Sequence, residues 1–344
     1  MRNYTLLVMQ TNCLAVELGN VLEQLVEQTA SVDSSHIGAV PSVMRQHIAT
    51  LCPHLPLLQV DESAKSWVAT LQAPQRFKGQ VAEVATAIQQ GDANAALLAI
   101  GDAPTNGSTS MSKSSDFLKE GVQLLAASSF SKRELSDLAR QSFSSLFNAE
   151  SARSAMSALN GIRWLTPIRK GEMGVEGLNE LVYNALKDKI KRREGRFYQG
   201  QPIMILKNHH PQRLSNGEVG VIWPDNNGKL QAWFEASTGE LRSISLSRLP
   251  QHETVFAMTI HKSQGSEFAH VVMFLPPPES DNAANLFHRG LVYTGLTRAK
   301  TGCLMISNED TFSNMVKNRD KRYSGLASAI TERAEKVENG EYRN

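Results

Sequence analysis

Cysteine is scarce: three residues in 344, Cys13, Cys52 and Cys303, far apart and without a C-x-x-C pair. That spacing excludes a disulfide framework and a thiolate zinc site, leaving reduced, structural thiols as the expectation. Long apolar runs are also missing. No window approaches the roughly 18 uninterrupted apolar residues of a membrane span, and Met1 to Val8 lacks the basic-then-apolar layout of a secretory signal. A soluble, cytoplasmic protein without membrane contact is the expectation. An excess of one charge is absent too: 36 Lys and Arg stand against 34 Asp and Glu, for a formal net charge of +2. Overall charge therefore gives no argument for a nucleic-acid partner, and only local clustering can supply one. Such a cluster is present in Lys187, Lys189, Lys191, Arg192, Arg193 and Arg196.

With 41% hydrophobic residues the chain can bury at least one large core, and its length suggests about two domains. In residues 5 to 29, Leu6, Leu7, Met9, Leu14, Val16, Leu18, Val21, Leu22 and Leu25 recur at helical spacings. Pro41, Pro53 and Pro56 make residues 40 to 72 irregular. "FKGQVAEVATAIQQGD" places Val81, Val84, Ala85 and Ile88 on one face of a short helix ended by Gly91. The Ser-, Gly- and Thr-rich stretch from 101 to 116 reads as a loop, and Phe117 to Leu159 reads as helical. No internal repeat is present.

The pattern changes at Gly161. "GIRWLTPI" reads as a strand and "GLNELVYNALKDKI" as an amphipathic helix. Between Gly200 and Leu249, "QPIMIL", "EVGVIW", "LQAWFEA" and "LRSISL" are short β-prone runs. Turn signals at Asn216-Gly217, Asn226 to Gly228 and Thr238-Gly239 separate them, which suggests a small β-barrel. "TVFAMTI" and "HVVMFLP" are continuous apolar strands, as expected in a parallel sheet buried on both faces. A helix near Leu286 to Lys300, the strand "GCLMIS" and a final helical pair complete a β/α alternation.

The polar run lies between those two apolar strands. In "AMTIHKSQGSEF", Ala257 to Phe268, seven successive polar or glycine residues, His261 to Glu267, follow a strand directly. Loops at strand ends carry function on a rigid scaffold. The alternative is a solvated turn.

"AMTIHKSQGSEFAHVVMFLP" followed by "LVYTGLTRAK" resembles motifs V and VI of superfamily 1 DNA helicases, in the wording of the RecD type, the α subunits of exodeoxyribonuclease V. "LQAPQRF" resembles the family's motif IV, and "GVEGLN" the opening of the second motor domain's central region. "RLSNGEVGVI" and "SLSRLP" resemble the family's barrel insertion. The resemblance spans Leu71 to Leu326. It implies an α/β, RecA-like parallel-sheet domain with an inserted small β-barrel and a mostly helical N-terminal segment. The expected boundaries are residues 1–75 for the helical or irregular segment, 76–199 with 250–344 for the second motor domain, and 200–249 for the barrel.

The resemblance also assigns roles. Arg298 matches the motif VI arginine and Arg76 the motif IV arginine, two cations for the charge that develops on a γ-phosphate; a surface ion pair is the alternative for each. Gly265 would let backbone approach a phosphate, and Glu267 matches an acid that contacts the nucleotide ribose. Gln264 would sense the γ-phosphate or cap the next segment. Thr259, His261 and Lys262 match single-stranded DNA contacts through phosphate and sugar. A satisfied core histidine is the alternative for His261, and a solvated charge for Lys262. For the basic run the alternatives are a DNA backbone track or a solvated helix face. For Trp223, Trp233 and Phe234 they are base stacking or core packing. Asn216-Gly217 is a hairpin turn.

A complete motor also needs G-x-x-x-x-G-K-[ST] and a magnesium-binding acid. No such loop occurs in the chain. "LPLLQVDES" imitates the magnesium motif at Asp61-Glu62 but lies close to the motif IV region, and reads as coincidence; no metal site is expected. The resemblance therefore implies the C-terminal half of a RecD-type, ATP- and Mg2+-dependent 5′-to-3′ DNA helicase. It would act in double-strand break repair with RecB-like and RecC-like subunits, and would require a P-loop domain for hydrolysis. The competing reading is a non-catalytic single-stranded DNA-binding or assembly module. A nuclease is disfavoured, because no convincing carboxylate cluster is present.

Overall fold

The computed structural model describes residues 79–101, 118–236, 238–278 and 287–319. The chain divides into two compact units, Met1–Pro74 with Lys321–Asn344, and Gln75–Asp320. The described residues all belong to the second. The helix expected over 5–29, Cys13, Cys52, the Asp61-Glu62 pair, Arg76 and most of the loop from 101 to 116 lie outside them.

Helix α1 (Gln80–Gln90) buries Val81, Val84, Ala85, Ala87 and Ile88, the face expected from their spacing, and stops at Gly91, whose φ of 79° is left-handed. Helix α2 (Ala93–Ile100) starts where the Asp92 side chain accepts a hydrogen bond from the Ala95 amide at 2.9 Å. Strand β1 (Gly121–Leu125) follows. It corrects the reading of Phe117 to Leu159 as helical throughout. "GVQLL" is too short to carry a periodic signal, and its pairing with a distant strand decides its conformation. Helix α3 (Lys132–Phe147) opens with a reciprocal cap: the Glu134 amide donates to Ser131 Oγ, and the Ser131 amide donates to Glu134 Oε2 at 2.7 Å. Helix α4 (Ala152–Gly161) leads directly into strand β2 (Ile162–Thr166), and helix α5 spans Val175–Leu186.

A two-residue ribbon, β3 (Arg193–Glu194) and β4 (Phe197–Tyr198), precedes five antiparallel strands. These are β5 (Pro202–Ile205), β6 (Val219–Pro224), β7 (Leu230–Glu235), β8 (Leu241–Ser245) and β9 (His252–Thr254), ordered β8-β7-β6-β5-β9. Among the described residues no ladder joins β8 to β9. The structure shows five antiparallel strands of one sheet in the segment where the sequence suggests a barrel. Ile203, Ile205, Ile222, Ala232, Phe234 and Ile244 pack together on one side of it, while Val221 and Trp223 face the main core.

The chain then returns through β10 (Ala257–Thr259), β11 (Phe268–Phe274), helix α6 (Arg289–Leu296), β12 (Ala299–Ile306) and helix α7 (Glu309–Lys317). Its main sheet is parallel throughout, in the order β1-β12-β11-β2-β10. Alternation sorts the strand residues between two helix layers. Trp164, Val272, Phe274, Leu304 and Ile306 join the core built with α3, α4 and α5. Full burial of each such aliphatic or Phe side chain contributes about 1.5–3 kcal/mol. Trp164 also donates from Nε1 to Ser142 Oγ at 3.0 Å, so its one polar atom is satisfied inside that core. On the opposite face α6 lies close enough that a Cβ at Gly295 would sit 2.3 Å from Met273 Sδ. Burial pushes the Cys303 thiol up to about 12, as expected of an inert structural cysteine.

Candidate functional site

The polar run crosses the sheet from one edge to the other. β10 ends at Thr259, a 3-10 turn takes up Ile260–Ser263, and Gly265 turns the chain with φ 84° into β11. Thr259 pairs with Thr166 and Leu165 with Met273, so Thr259 is level with Phe274, six residues beyond Phe268. At a rise of about 3.3 Å per residue the two ends of the run are roughly 20 Å apart along the strands. Ile260 is buried beneath α6, and buried Ser263 donates from Oγ to the Ile260 carbonyl at 2.6 Å. Two of these residues therefore fix the crossing and leave their neighbours to face outward.

At the amino edge, motif V and motif VI residues meet. Arg298 is 9% exposed and donates from Nε to the Thr294 carbonyl at 3.1 Å and from Nη1 to the Ser266 carbonyl at 3.2 Å. The Phe268 amide in turn donates to the Arg298 carbonyl at 2.9 Å. Gly265 is exposed, with open space where a Cβ would stand. Beside it the Gln264 Nε2 is buried without a hydrogen-bond partner, a donor whose desolvation is uncompensated. Glu267 pairs with Lys300, Oε2 to Nζ 2.9 Å, an exposed pair worth about 0–1 kcal/mol. Gln264, Gly265, Glu267 and Arg298 are thus brought together, while Arg76 lies outside the described residues.

At the carboxyl edge stand Thr259, His261 and Lys262, each half-buried. Lys262 Nζ is 2.9 Å from Glu253 Oε1, and the same carboxylate holds Arg169 Nη2 at 3.1 Å through Oε2. One acid on β9 thus bridges the crossing segment and the loop after β2. Arg169 and Glu253 have no signal in the sequence: they are 84 positions apart, and Lys262, nine positions from Glu253, reaches it only through the turn after β10.

Three further residues hold the scaffold. Asn179, on α5, accepts at Oδ1 from the amides of Phe256 (2.8 Å) and Ala257 (3.1 Å) and donates from Nδ2 to the Ala257 carbonyl at 3.0 Å. It thereby anchors β10, an edge strand that pairs, among the described residues, with β2 alone. The glycines of "GVEGLN" let α5 approach: a Cβ at Gly174 would lie 2.2 Å from the Lys170 carbonyl oxygen, and one at Gly177 2.5 Å from that of Gly171. Arg163 is 1% exposed, and burial pushes its pKa down to about 9, so it stays charged at neutral pH. It bonds the Val255 and Leu159 carbonyls and lies 5.0 Å from the Phe268 ring centroid, tying the entry of β10 to that of β11.

The undecided aromatic residues separate by burial. Trp223 and Phe234 are buried core residues, while Trp233 is half-buried and donates from Nε1 to the Trp223 carbonyl at 3.0 Å. The cations of the basic run are exposed. Among the described residues no helix is long and apolar enough to cross a membrane.

Comparison with known proteins follows the same lines. Residues 254–306, from the end of β9 through β12, match the UvrD-like helicase C-terminal domain. The RecBCD enzyme subunit RecD of Haemophilus influenzae is 40% identical over 174 residues, 50% of this chain and 25% of that protein. RecD of Mycolicibacterium smegmatis is 30% identical over 264 residues, 76% of this chain and 44% of that protein. The chain thus spans less than half the length of either relative. A Pif1 helicase from Bacteroides, solved with ADP-AlF3 and single-stranded DNA, is a distant structural likeness. It has a TM-score of 0.37 and 16% identity, covering 79% of this chain and 57% of that one, and it adds nothing to the assignment. The α/β domain is built on a parallel central sheet, and the chain corresponds to the C-terminal half of the RecD family of helicases, with the UvrD-like helicase C-terminal match in its last third.

Proposed function

We infer that the chain supplies one jaw of an ATP-driven DNA helicase motor of the RecD type, the other jaw being a P-loop domain outside these 344 residues. The observation that carries this reading is the hydrogen bond between Arg298 and the Ser266 carbonyl, which joins the motif VI arginine to the motif V turn. Arg298 is held by backbone oxygens at a fixed place beside Gly265, where its fork can stabilise charge on a terminal phosphate. The partnerless Gln264 Nε2 is a donor suited to the same phosphate, and the open backbone at Gly265 allows close approach. Glu267 would contact the ribose. Magnesium ATP, when bound, supplies the phosphoryl group whose transfer releases the energy for movement. This chain's residues bind and orient it, while the metal and most phosphate donors belong to the P-loop half.

Thr259, His261 and Lys262 are the proposed single-stranded DNA contacts at the opposite edge. The eight-residue crossing links both ends through the buried Ile260 and Ser263, so displacement of the amino edge on phosphate release is transmitted to the DNA edge. Translocation from 5′ to 3′ within an assembly of RecB-like and RecC-like subunits, in double-strand break repair, completes the proposal. Its test is unwinding of tailed duplexes by the chain combined with a P-loop half. Unwinding confined to 5′-tailed substrates supports the reading, whereas DNA binding without ATP-dependent unwinding under any combination leaves a binding module.

A further inference from the structure

The basic hairpin is the feature this reading leaves unused. Residues 187 to 196 contain six cations and two carboxylates, a net charge of +4 in a chain whose total is +2. The remainder of the chain is therefore net negative, and the positive field is concentrated here. All six cations are exposed, and among the described residues none of them forms an ion pair, not even with Asp188 or Glu194 in the same segment.

Neutral groups hold these side chains instead. Lys189 Nζ donates to Ser144 Oγ at 3.1 Å, and Arg192 Nη1 donates to the Gly228 carbonyl at 2.8 Å, pinning the ribbon to the β6–β7 turn. Arg193 donates from Nη2 to the Tyr183 hydroxyl at 2.7 Å and lies over the rings of Tyr183 and Tyr198. Arg196 lies 5.0 Å over the Phe197 ring, which also stacks on His252 at 5.5 Å with an interplanar angle of 29°. A solvated face with no partner would gain nothing from ordering long side chains in this way, and a structural ion network would neutralise them. Here the guanidinium groups are pre-positioned with their charge intact.

We propose that this hairpin is a second nucleic-acid contact, binding the phosphodiester backbone through Lys187, Lys191 and Arg196 together with the positioned Arg192 and Arg193. The Phe197 ring is flanked by Arg196 and His252, so the surface offers charge rather than a platform for bases, and binding is independent of sequence. His252 belongs to β9, next to Glu253, which holds Lys262. Successive residues of a strand point to opposite faces, so His252 and the hairpin lie on the other face of β9 from Glu253 and Lys262, as a separate contact. The inference rests on the reading of the chain as part of a DNA motor, and not on Lys262 itself.

The test is the salt dependence of binding by the full chain, with oligothymidylate, a duplex of equal length and a polyglutamate peptide as probes. Each phosphate neutralised on a single strand contributes about 0.7 to the slope of log K against log salt. The triple variant Lys187→Gln, Lys191→Gln, Arg196→Gln is expected to flatten the slope by about 2 and weaken binding at least about tenfold at low salt. Arg196→Lys, which keeps the charge, is expected to leave the slope unchanged and also controls for folding. Comparing oligothymidylate with duplex shows which form of backbone the hairpin grips. An unchanged slope in the triple variant, with Lys262→Gln still flattening it, overturns the hairpin and leaves the Lys262 site standing. The reverse pattern supports the hairpin and removes Lys262. Loss of polyglutamate binding with DNA binding intact makes the hairpin a protein-docking surface and overturns the proposal, as does absence of nucleic-acid binding by the unmodified chain.

Discussion

Arg298 donates from Nη1 to the carbonyl oxygen of Ser266 at 3.2 Å, although the two residues are 32 positions apart. The bond makes the start of β12 and the turn before β11 one unit at the amino edge of the sheet. A lysine at 298 has no planar fork with which to hold both the Thr294 and Ser266 carbonyls, so a substitution that keeps the charge still loosens the turn.

Glu253 neutralises Lys262, the cation proposed to meet DNA, and Arg169 beside it. Glu253→Gln releases Lys262 and Arg169 from an acid 2.9 and 3.1 Å away. Single-stranded DNA binding is expected to tighten about three- to tenfold, with a salt slope steeper by about 0.7 for each additional phosphate neutralised. Fluorescence anisotropy across a salt series measures both. Unchanged affinity would show that the carboxylate does not compete with phosphate.

Asn179 holds the edge strand from which the crossing starts. Asn179→Leu leaves two amides and a carbonyl of Phe256 and Ala257 without partners. A loss of about 2–4 kcal/mol is expected, at about 1–3 kcal/mol for each buried group left unsatisfied and with some relaxation. Urea unfolding midpoints give the value, and a loss below about 0.5 kcal/mol would assign the restraint of β10 to other residues.

Gly174 and Gly161 make a contrasting pair. A Cβ at Gly174 would stand 2.2 Å from a backbone oxygen, so Gly174→Ala is expected to cost about 1–3 kcal/mol. At Gly161, the last residue of α4, nothing lies within 4 Å of the added Cβ. Gly161→Ala is expected to stabilise by about 0.5–1 kcal/mol. Equal effects at the two sites would contradict the packing of α5 against the loop after β2.

Stability should fall in mild acid. Burial lowers the pKa values of His252 and His270, with Arg196 adding to the effect at His252, while the Pro250 carbonyl and Glu120 oppose it at His252 and His270 respectively. The unfolded chain, with histidines near 6.5, takes up protons that the folded chain resists. The stability contributed by these two sites is present above about pH 6.5 and is lost as pH falls through their lowered folded values. Thermal unfolding at descending pH is expected to show a decline that His270→Gln reduces. An unaltered decline would exclude His270 as a contributor.

Much of the parallel sheet is legible in the sequence, because "GIRWLTPI", "TVFAMTI" and "HVVMFLP" are apolar runs buried on both faces. Gly91 and the start of α5 are also legible, since capping and amphipathic spacing are local. β1 is not, because five residues that take their pairing from distant β12 carry no local period. The motif wording singles out Arg298, Gly265 and Lys262, but it does not show that Lys262 lies against Glu253 or that Arg163 is buried under Phe268. Those contacts join separate elements, and residue type alone does not announce them. Of the expected barrel the structure shows the strands and hairpins, which turn spacing specifies, whereas closure depends on whether the first and last strands meet.

The most direct measurement is DNA-stimulated ATP hydrolysis by this chain mixed with a P-loop half, compared between the unmodified protein and Arg298→Ala. The account predicts hydrolysis only in the mixture, a fall of about 10³-fold or more with Arg298→Ala, and little change in single-stranded DNA affinity. Turnover that survives Arg298→Ala would remove this residue from the nucleotide site and contradict the account.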